Sequence, residues 1–229
     1  MGQGHLITYT NLIANHLGID LADVVLIEGD SADVPGFIPA VASRSLMMAG
    51  SAAVLACDEA IEKGRTIAGE LLEAATDDIE YGNGIFRIIG TDRTIPLLEL
   101  PSRAVAAGLT NSSLNSTYEF VSPQMSFPNG CHVSEVEIDP ETGLLTIIGY
   151  YAVDDVGNVF QKNIVEGQIH GGIVQGFGQI LGERVIYDNN GQLLTGSFMD
   201  YPIPRADEIP PLAVAHHTVP CTTNPLGVK

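Results

Sequence analysis

Apolar positions recur at helical spacing between His5 and Leu17: Leu6, Tyr9, Leu12, Ile13 and His16 fall on one face, and Gly18 supplies a stop signal. Val24-Val-Leu-Ile27 reads as a short strand closed by Gly29-Asp-Ser. The loop from Ala32 to Pro39, with two prolines and Gly36, belongs to neither helix nor sheet interior. A long helix is predicted from about Ser45 to about Ala75. Its small residues Ala49, Gly50, Ala52 and Ala53 allow close packing, and Gly64 and Gly69 mark places where it can break. Ile79-Glu-Tyr and Ile85-Phe-Arg-Ile-Ile flank Gly-Asn-Gly as a hairpin, and Leu97 to Ala107 offers another short helix. The polar stretch from Gly108 to Asn129 reads as an excursion ordered by contact with something else.

Beyond it the pattern resumes. Val133, Val136 and Ile138 precede the turn Asp139-Pro-Glu-Thr-Gly, and Leu144 to Val153 returns as a strand. Helical spacing covers Asn163 to Leu181, through Ile164, Ile169, Ile173, Val174, Phe177 and Ile180. Glu183 to Tyr187 and Leu193 to Thr195 flank Asp-Asn-Asn-Gly as a second hairpin. Pro202 to Pro211 is a proline-rich loop, and Leu212 to Thr218 a last strand. Helices and strands alternate irregularly, so the fold class is mixed, α+β: two lobes of mixed sheet with packed helices. The expected division is a first lobe over 1–110, a connection over 111–130 and a second lobe over 131–229.

Composition narrows the function classes. Ten Lys and Arg oppose 28 Asp and Glu, a formal charge of -18 that repels phosphate backbones and disfavours nucleic acid. Trp is absent and aromatics are 6% of residues, which leaves no base-stacking surface. The apolar run Leu46 to Cys57 is too short to span a bilayer. Met1-Gly-Gln-Gly-His lacks the basic segment and apolar core of a signal peptide. Cys57, Cys131 and Cys221 form no C-x-x-C pair, which fits a reducing, cytoplasmic setting.

Three segments carry candidate chemistry. Gly2-Gln3-Gly4 stands directly before a helix, where backbone can approach a ligand and unpaired N–H groups face an anion; a plain tight turn accounts for it too. In Val41-Ala42-Ser43-Arg44-Ser45 the two hydroxyls can cap the following helix or, with Arg44, hold a phosphate. Glycines 167, 171, 172, 176 and 178 sit inside a predicted helix, where each costs about 1 kcal/mol relative to alanine. Such a run is explained by close approach of a cofactor or another backbone, or by a dense helix-packing face. His16 on its apolar face reads as a core residue. His216 and His217 point to opposite faces of a strand, Asp77-Asp78 and Asp154-Asp155 read as turn or strand-edge acids, and Met47 and Met48 as core filler. A nucleotide-binding module is disfavoured: Gly-x-x-x-x-Gly-Lys-Ser/Thr is absent, and Leu181 stands where Gly-x-Gly-x-x-Gly needs its last glycine.

In order, Met1-Gly-Gln-Gly, Gly29-Asp-Ser-Ala-Asp-Val-Pro, Ala42-Ser-Arg-Ser, Asn129-Gly-Cys-His-Val-Ser-Glu-Val-Glu-Ile-Asp-Pro-Glu-Thr-Gly143, Val165-Glu-Gly-Gln-Ile-His-Gly-Gly, Gly196-Ser-Phe-Met-Asp-Tyr-Pro-Ile-Pro-Arg205 and Asn224-Pro-Leu-Gly-Val-Lys229 resemble one family. It is that of the molybdopterin-binding large subunits of xanthine dehydrogenase, aldehyde oxidase and carbon monoxide dehydrogenase, and the resemblance covers nearly the whole chain.

The resemblance implies a molybdenum–molybdopterin cofactor, in some relatives a cytosine dinucleotide, whose metal is held by pterin dithiolene sulfurs rather than by side chains. It implies that Gln3, between Gly2 and Gly4, bonds the pterin. Ala42, Ser43, Arg44 and Ser45 would line the cofactor, and Gly167 and Gln168 add a second amide contact. It further implies oxidation of an aldehyde, an N-heterocycle or CO with water as oxygen source. Electrons would leave through 2Fe–2S clusters to FAD on an iron–sulfur and a flavin subunit. The family's other half of the large subunit precedes Gly-Gln-Gly, and its catalytic glutamate follows Lys229, so this chain by itself is expected to be inactive and no general base is nominated in it; Glu166 is assigned a structural place. A degenerate subunit with an assembly or cofactor-binding role is the alternative.

Overall fold

The computed structural model describes residues 2–34, 39–110 and 112–229. Half of the expected Pro-Gly loop, 35–38, lies outside them, as does Asn111. The chain divides into two compact units, one of residues up to Met125 with Cys221–Val228, the other of Ser126–Pro220 with Lys229.

In the first unit α1 (His5–Leu17) ends at Gly18, whose left-handed φ of 68° turns the chain so that Ile19 N–H bonds back to Ala14 O at 3.1 Å. Gly18 abuts a hairpin turn so closely that an added Cβ would lie 2.6 Å from Asn83 Cα. That hairpin is β1 (Ile79–Gly82) and β2 (Ile85–Ile88), with Asn83 and Gly84 both at positive φ as a two-residue turn requires. Tyr81 Oη donates to Leu17 O at 2.6 Å, fastening the end of α1 to the sheet. β3 (Thr94–Pro96) completes the antiparallel order β1-β2-β3. This third strand escaped the sequence reading because three residues are too few to show alternation.

The predicted long helix is present as a π turn, Leu46–Gly50, running into α2 (Ser51–Leu72). Its face of Ile67, Ala68 and Leu72 buries against Ile79, Phe86 and Ile95 of the sheet, and against Leu100 and Ala104 of α3 (Leu100–Ala106). Phe86 is fully buried, and its ring fills the notch that Gly64 leaves in α2. The excursion is drawn onto this unit: Leu109 and Leu114 pack on its core, and Lys63 Nζ donates to Asn115 O at 2.7 Å. Val24–Ile27, expected as a strand, pairs with no strand among the described residues. It is extended, with Val25 81% and Ile27 62% exposed, because no sheet edge is offered to it. His16, read as a core residue, is instead partly exposed and bonds Asp58 at 2.7 Å.

In the second unit β4 (Asn129–Ile138) and β5 (Leu145–Asp155) form an antiparallel ladder with a bulge at Glu135/Val136. β6 (Leu212–His216) joins β5 in parallel, after α4 (Lys162–Leu181) has crossed one sheet face. Ile169, Ile173 and Phe177 of α4 pack on Ile147, Tyr150, Ala152, Leu212 and Val214. The turn closing β4 to β5 is set by Asp139, which accepts from Glu141 N and Thr142 Oγ1 at 2.8 and 2.7 Å, bonds that hold its carboxyl below the usual value. The second predicted hairpin is reduced to a single bridge, Tyr187 to Leu193.

Asp155 is more than the strand-edge acid expected. It accepts from Lys229 Nζ at 2.5 Å, Gly157 N at 3.0 Å and Val219 N at 3.1 Å, tying three segments of this unit together. The hydrogen bond from Lys229, then those from the backbone, lower its pKa to about 2.

Two outcomes follow from this packing. Gly64→Ala places a Cβ 2.2 Å from the Phe86 ring and is expected to destabilise by about 1–3 kcal/mol, read as a drop in denaturation midpoint at unchanged slope. Because the folded pKa of Asp155 is depressed, its contribution is whole above the ordinary value of 3.8 and is lost as pH falls toward about 2. Asp155→Asn should therefore melt below the parent at pH 7, and the gap between their melting temperatures should close across that acid window.

Candidate cofactor-binding site

The expected site segments occupy the N-terminal ends of three helices. Gly2-Gln3-Gly4 leads into α1, where Gly4, at φ 74° and ψ 29°, is the N-cap and contributes no side-chain bond. Nothing lies within 4 Å of a Cβ added at Gly2, so this turn is open to close approach. Ala42-Ser43-Arg44-Ser45 leads into the π turn of α2. Ala42 and Ser43 both hold positive φ, 55° and 53°, a conformation costing a non-glycine residue about 1–3 kcal/mol. The capping expected of the hydroxyls does not occur: Ser45 is already helical, at φ -56°, and makes no side-chain cap bond. The strained pair reverses the chain in its place.

These two segments are brought together by the packing of α1 on α2. Leu12 lies against Gly50 and clusters with Val54, and His16 bonds Asp58. Each step along α1 is matched by a step in the same direction along α2, so the helices run parallel and their N-terminal loops lie at the same end. Two helix N-termini thus point their unpaired N–H groups and positive dipole ends at one locale of a strongly acidic chain. Two buried nitrogens there lack a hydrogen-bond partner among the described residues, His5 Nε2 and Arg44 Nε. Among the described residues the Arg44 guanidinium donates to Pro39 O, at 3.4 Å. Buried polar atoms in that condition call for a partner such as water, an ion or a polar ligand.

His5 and Glu28 went unnoticed in the sequence. His5 Nδ1 meets Glu28 Oε2 at 3.0 Å, its ring rests 5.3 Å from that of Tyr9, and burial, then the Glu28 charge, raises the Tyr9 phenol to about 12. Glu28 closes the segment read as a strand, and nothing in its spacing ties it to His5.

Gly167 and Gln168 lie exposed in the second turn of α4, in the other unit. Of the five helix glycines only Gly178 is packed, against Glu183 and Pro204; Gly167, Gly171, Gly172 and Gly176 have nothing within 4 Å of an added Cβ. They form a bare face opposite the buried Ile173 and Phe177, beside a shallow depression lined by Gly172, Gln175, Gly176, Gln179 and Glu183. Internal packing therefore does not explain them. Glu166 sits 3.6 Å from Lys162 and 3.9 Å from His216, a structural pairing. Among the described residues no three His, Cys, Asp or Glu side chains gather as a metal-binding group.

Each unit thus leaves groups without an internal partner, helix starts in the first and bare backbone on a helix face in the second. Residues 1–210 match the molybdopterin cofactor-binding domain family, and the chain belongs to that family. It is 33% identical to the carbon monoxide dehydrogenase large chain of Hydrogenophaga pseudoflava, over 100% of this chain and 29% of that one. Among solved structures, quinoline 2-oxidoreductase from Pseudomonas putida 86 matches with a TM-score of 0.87 and 35% identity, over 100% of this chain and 30% of that one. The Cu,Mo-CO dehydrogenase in its carbon monoxide reduced state matches with a TM-score of 0.89 and 32% identity, over 100% and 29%. The chain thus spans about 29% of the length of the carbon monoxide dehydrogenase large chain it matches. No helix of the described residues is long and apolar enough to cross a membrane.

Gly171→Ala separates packing from binding. With open space at its Cβ, alanine should raise stability by up to about 1 kcal/mol. If the bare face receives a cofactor or another backbone, the same change should lower cofactor content, measured as metal per protein in the same preparation.

Proposed function

We propose that the chain is the molybdopterin-binding portion of a molybdenum hydroxylase that oxidises an aldehyde, an N-heterocycle or CO with oxygen from water. The observation that carries this reading is the pair of parallel helix starts, with His5 Nε2 and Arg44 Nε buried and unsatisfied near their loops. Those residues fit a large, polar, partly anionic group. The Gln3 amide can both donate to and accept from a pterin edge between two glycines that keep the backbone close. The turn Ala42-Ser43-Arg44-Ser45 offers backbone N–H groups, two hydroxyls and a guanidinium to phosphate or pterin oxygens. Gly167 and Gln168 offer a second amide from a helix face with no side chain to hold the ligand off.

When bound, the cofactor supplies the redox centre that removes two electrons from the substrate. The residues named here bind and orient it, and none of them is assigned as general base. In this reading an iron–sulfur and a flavin subunit would hold the 2Fe–2S clusters and FAD that take up those electrons, in the cytoplasm. Turnover belongs to the assembly that includes the rest of the large chain.

Elemental mass spectrometry on the protein purified with its partners attached tests this. Molybdenum is expected in stoichiometric amount, falling roughly ten-fold or more in Gln3→Ala and in Ser43→Ala, since each removes contacts together worth at least about 1.4 kcal/mol. A folded, fully assembled sample without molybdenum would refute the proposal.

A further inference from the structure

The sheet of the second unit has a helix on one face only. The ladder registers place Cys131, Val153 and Ala215 in one cross-strand row and Val133, Tyr151 and Ala213 in the next. All six lie on the face away from α4, since the alternate positions Tyr150, Ala152, Leu212 and Val214 are the ones that pack on it. All six are exposed, Val133 by 56%, Tyr151 by 51% and Val153 by 45%. A sheet that shows one face to water carries polar residues there, whereas strands buried on both faces are apolar throughout. β5 and β6 approach the second pattern, and in β4, where His132 and Ser134 take the alternate positions, the apolar Cys131 and Val133 fall on this same open face, on a chain of formal charge -18.

We propose that this face is an internal docking surface, covered by a helix or strand layer from the part of the large chain outside the 229 residues, so that the unit is three layers deep in the assembled protein. The inference deepens the functional reading above and rests on it. Length supplies the occupant: the relatives carry this region as about 29–30% of their chain, leaving more than twice its length to cover it. Size and charge argue against a second copy. Two rows on three strands make a patch on the order of 200 Å², against about 800 Å² per partner in a standard interface. Two copies would also bring like net charges together. Ala213 and Ala215 on β6 beside Tyr151 on β5 form a step, which suits an element lying closest over β6.

Cys131 reports on the surface directly, being a free, exposed thiol within it. In the protein purified with its partners attached, maleimide labelling of Cys131, followed by peptide mass spectrometry, should run at least about ten-fold slower than in a synthetic peptide of residues 126–138. Val133→Asp should restore labelling toward the peptide rate, with the far-ultraviolet dichroism of the assembly unchanged. Labelling of the parent assembly at the peptide rate overturns the proposal. So does protection in a sample holding no other large-chain polypeptide and lost on dilution, which would make a second copy the occupant. Molybdenum measured on the same samples separates the two readings: protected Cys131 without metal sinks the cofactor assignment alone, and metal with open Cys131 sinks the docking surface alone.

Discussion

The site depends on how closely α1 can approach α2. At Gly50 an added Cβ would lie 2.8 Å from the side-chain ends of Leu226 and Leu46 and 3.4 Å from Leu12, so a side chain there would displace the first two leucines and touch the third. Leu12, Val54, Leu226 and Val228 then form a small core whose contacts run parallel along the two helices. Were that approach wider or its direction reversed, the Gly2-Gln3-Gly4 and Ala42-Ser43-Arg44-Ser45 loops would not share an end.

Two strained residues and two unsatisfied nitrogens stand at that end. The far end of α1 is over-determined, by the left-handed Gly18, the Tyr81 hydroxyl and the hairpin turn. Its beginning holds a histidine bonded on one nitrogen only, and the neighbouring loop puts two non-glycine residues at positive φ. Ordinary folding energetics would remove both features. They persist where the rest of the unit is rigid enough to hold them, which is the condition a preorganised ligand site needs.

The second unit works the other way. Its helix carries four glycines that no packing among the described residues requires, and its sheet carries apolar residues that nothing described covers. Asp155 nonetheless gathers Gly157, Val219 and Lys229 into a fixed corner. Anchoring is therefore local and internal, while the bare helix face and the open sheet face are turned outward.

Periodicity determined α1, α2, α4, the β1–β2 hairpin and the β4–β5 hairpin, because each buries one face and must repeat at 3.6 or 2 residues to do so. Motif order determined the family and singled out three segments as candidates for its site. Only the tertiary structure decided the rest. Val24–Ile27 has strand composition but no sheet edge to join, and Ser45 has a capping hydroxyl but arrives already helical. The pairing of His5 with Glu28, the unsatisfied Arg44 Nε, and the return of Leu226 to the core beside Leu12 join residues far apart in sequence. No local pattern encodes such contacts; they exist because two helices pack in one direction and not the other.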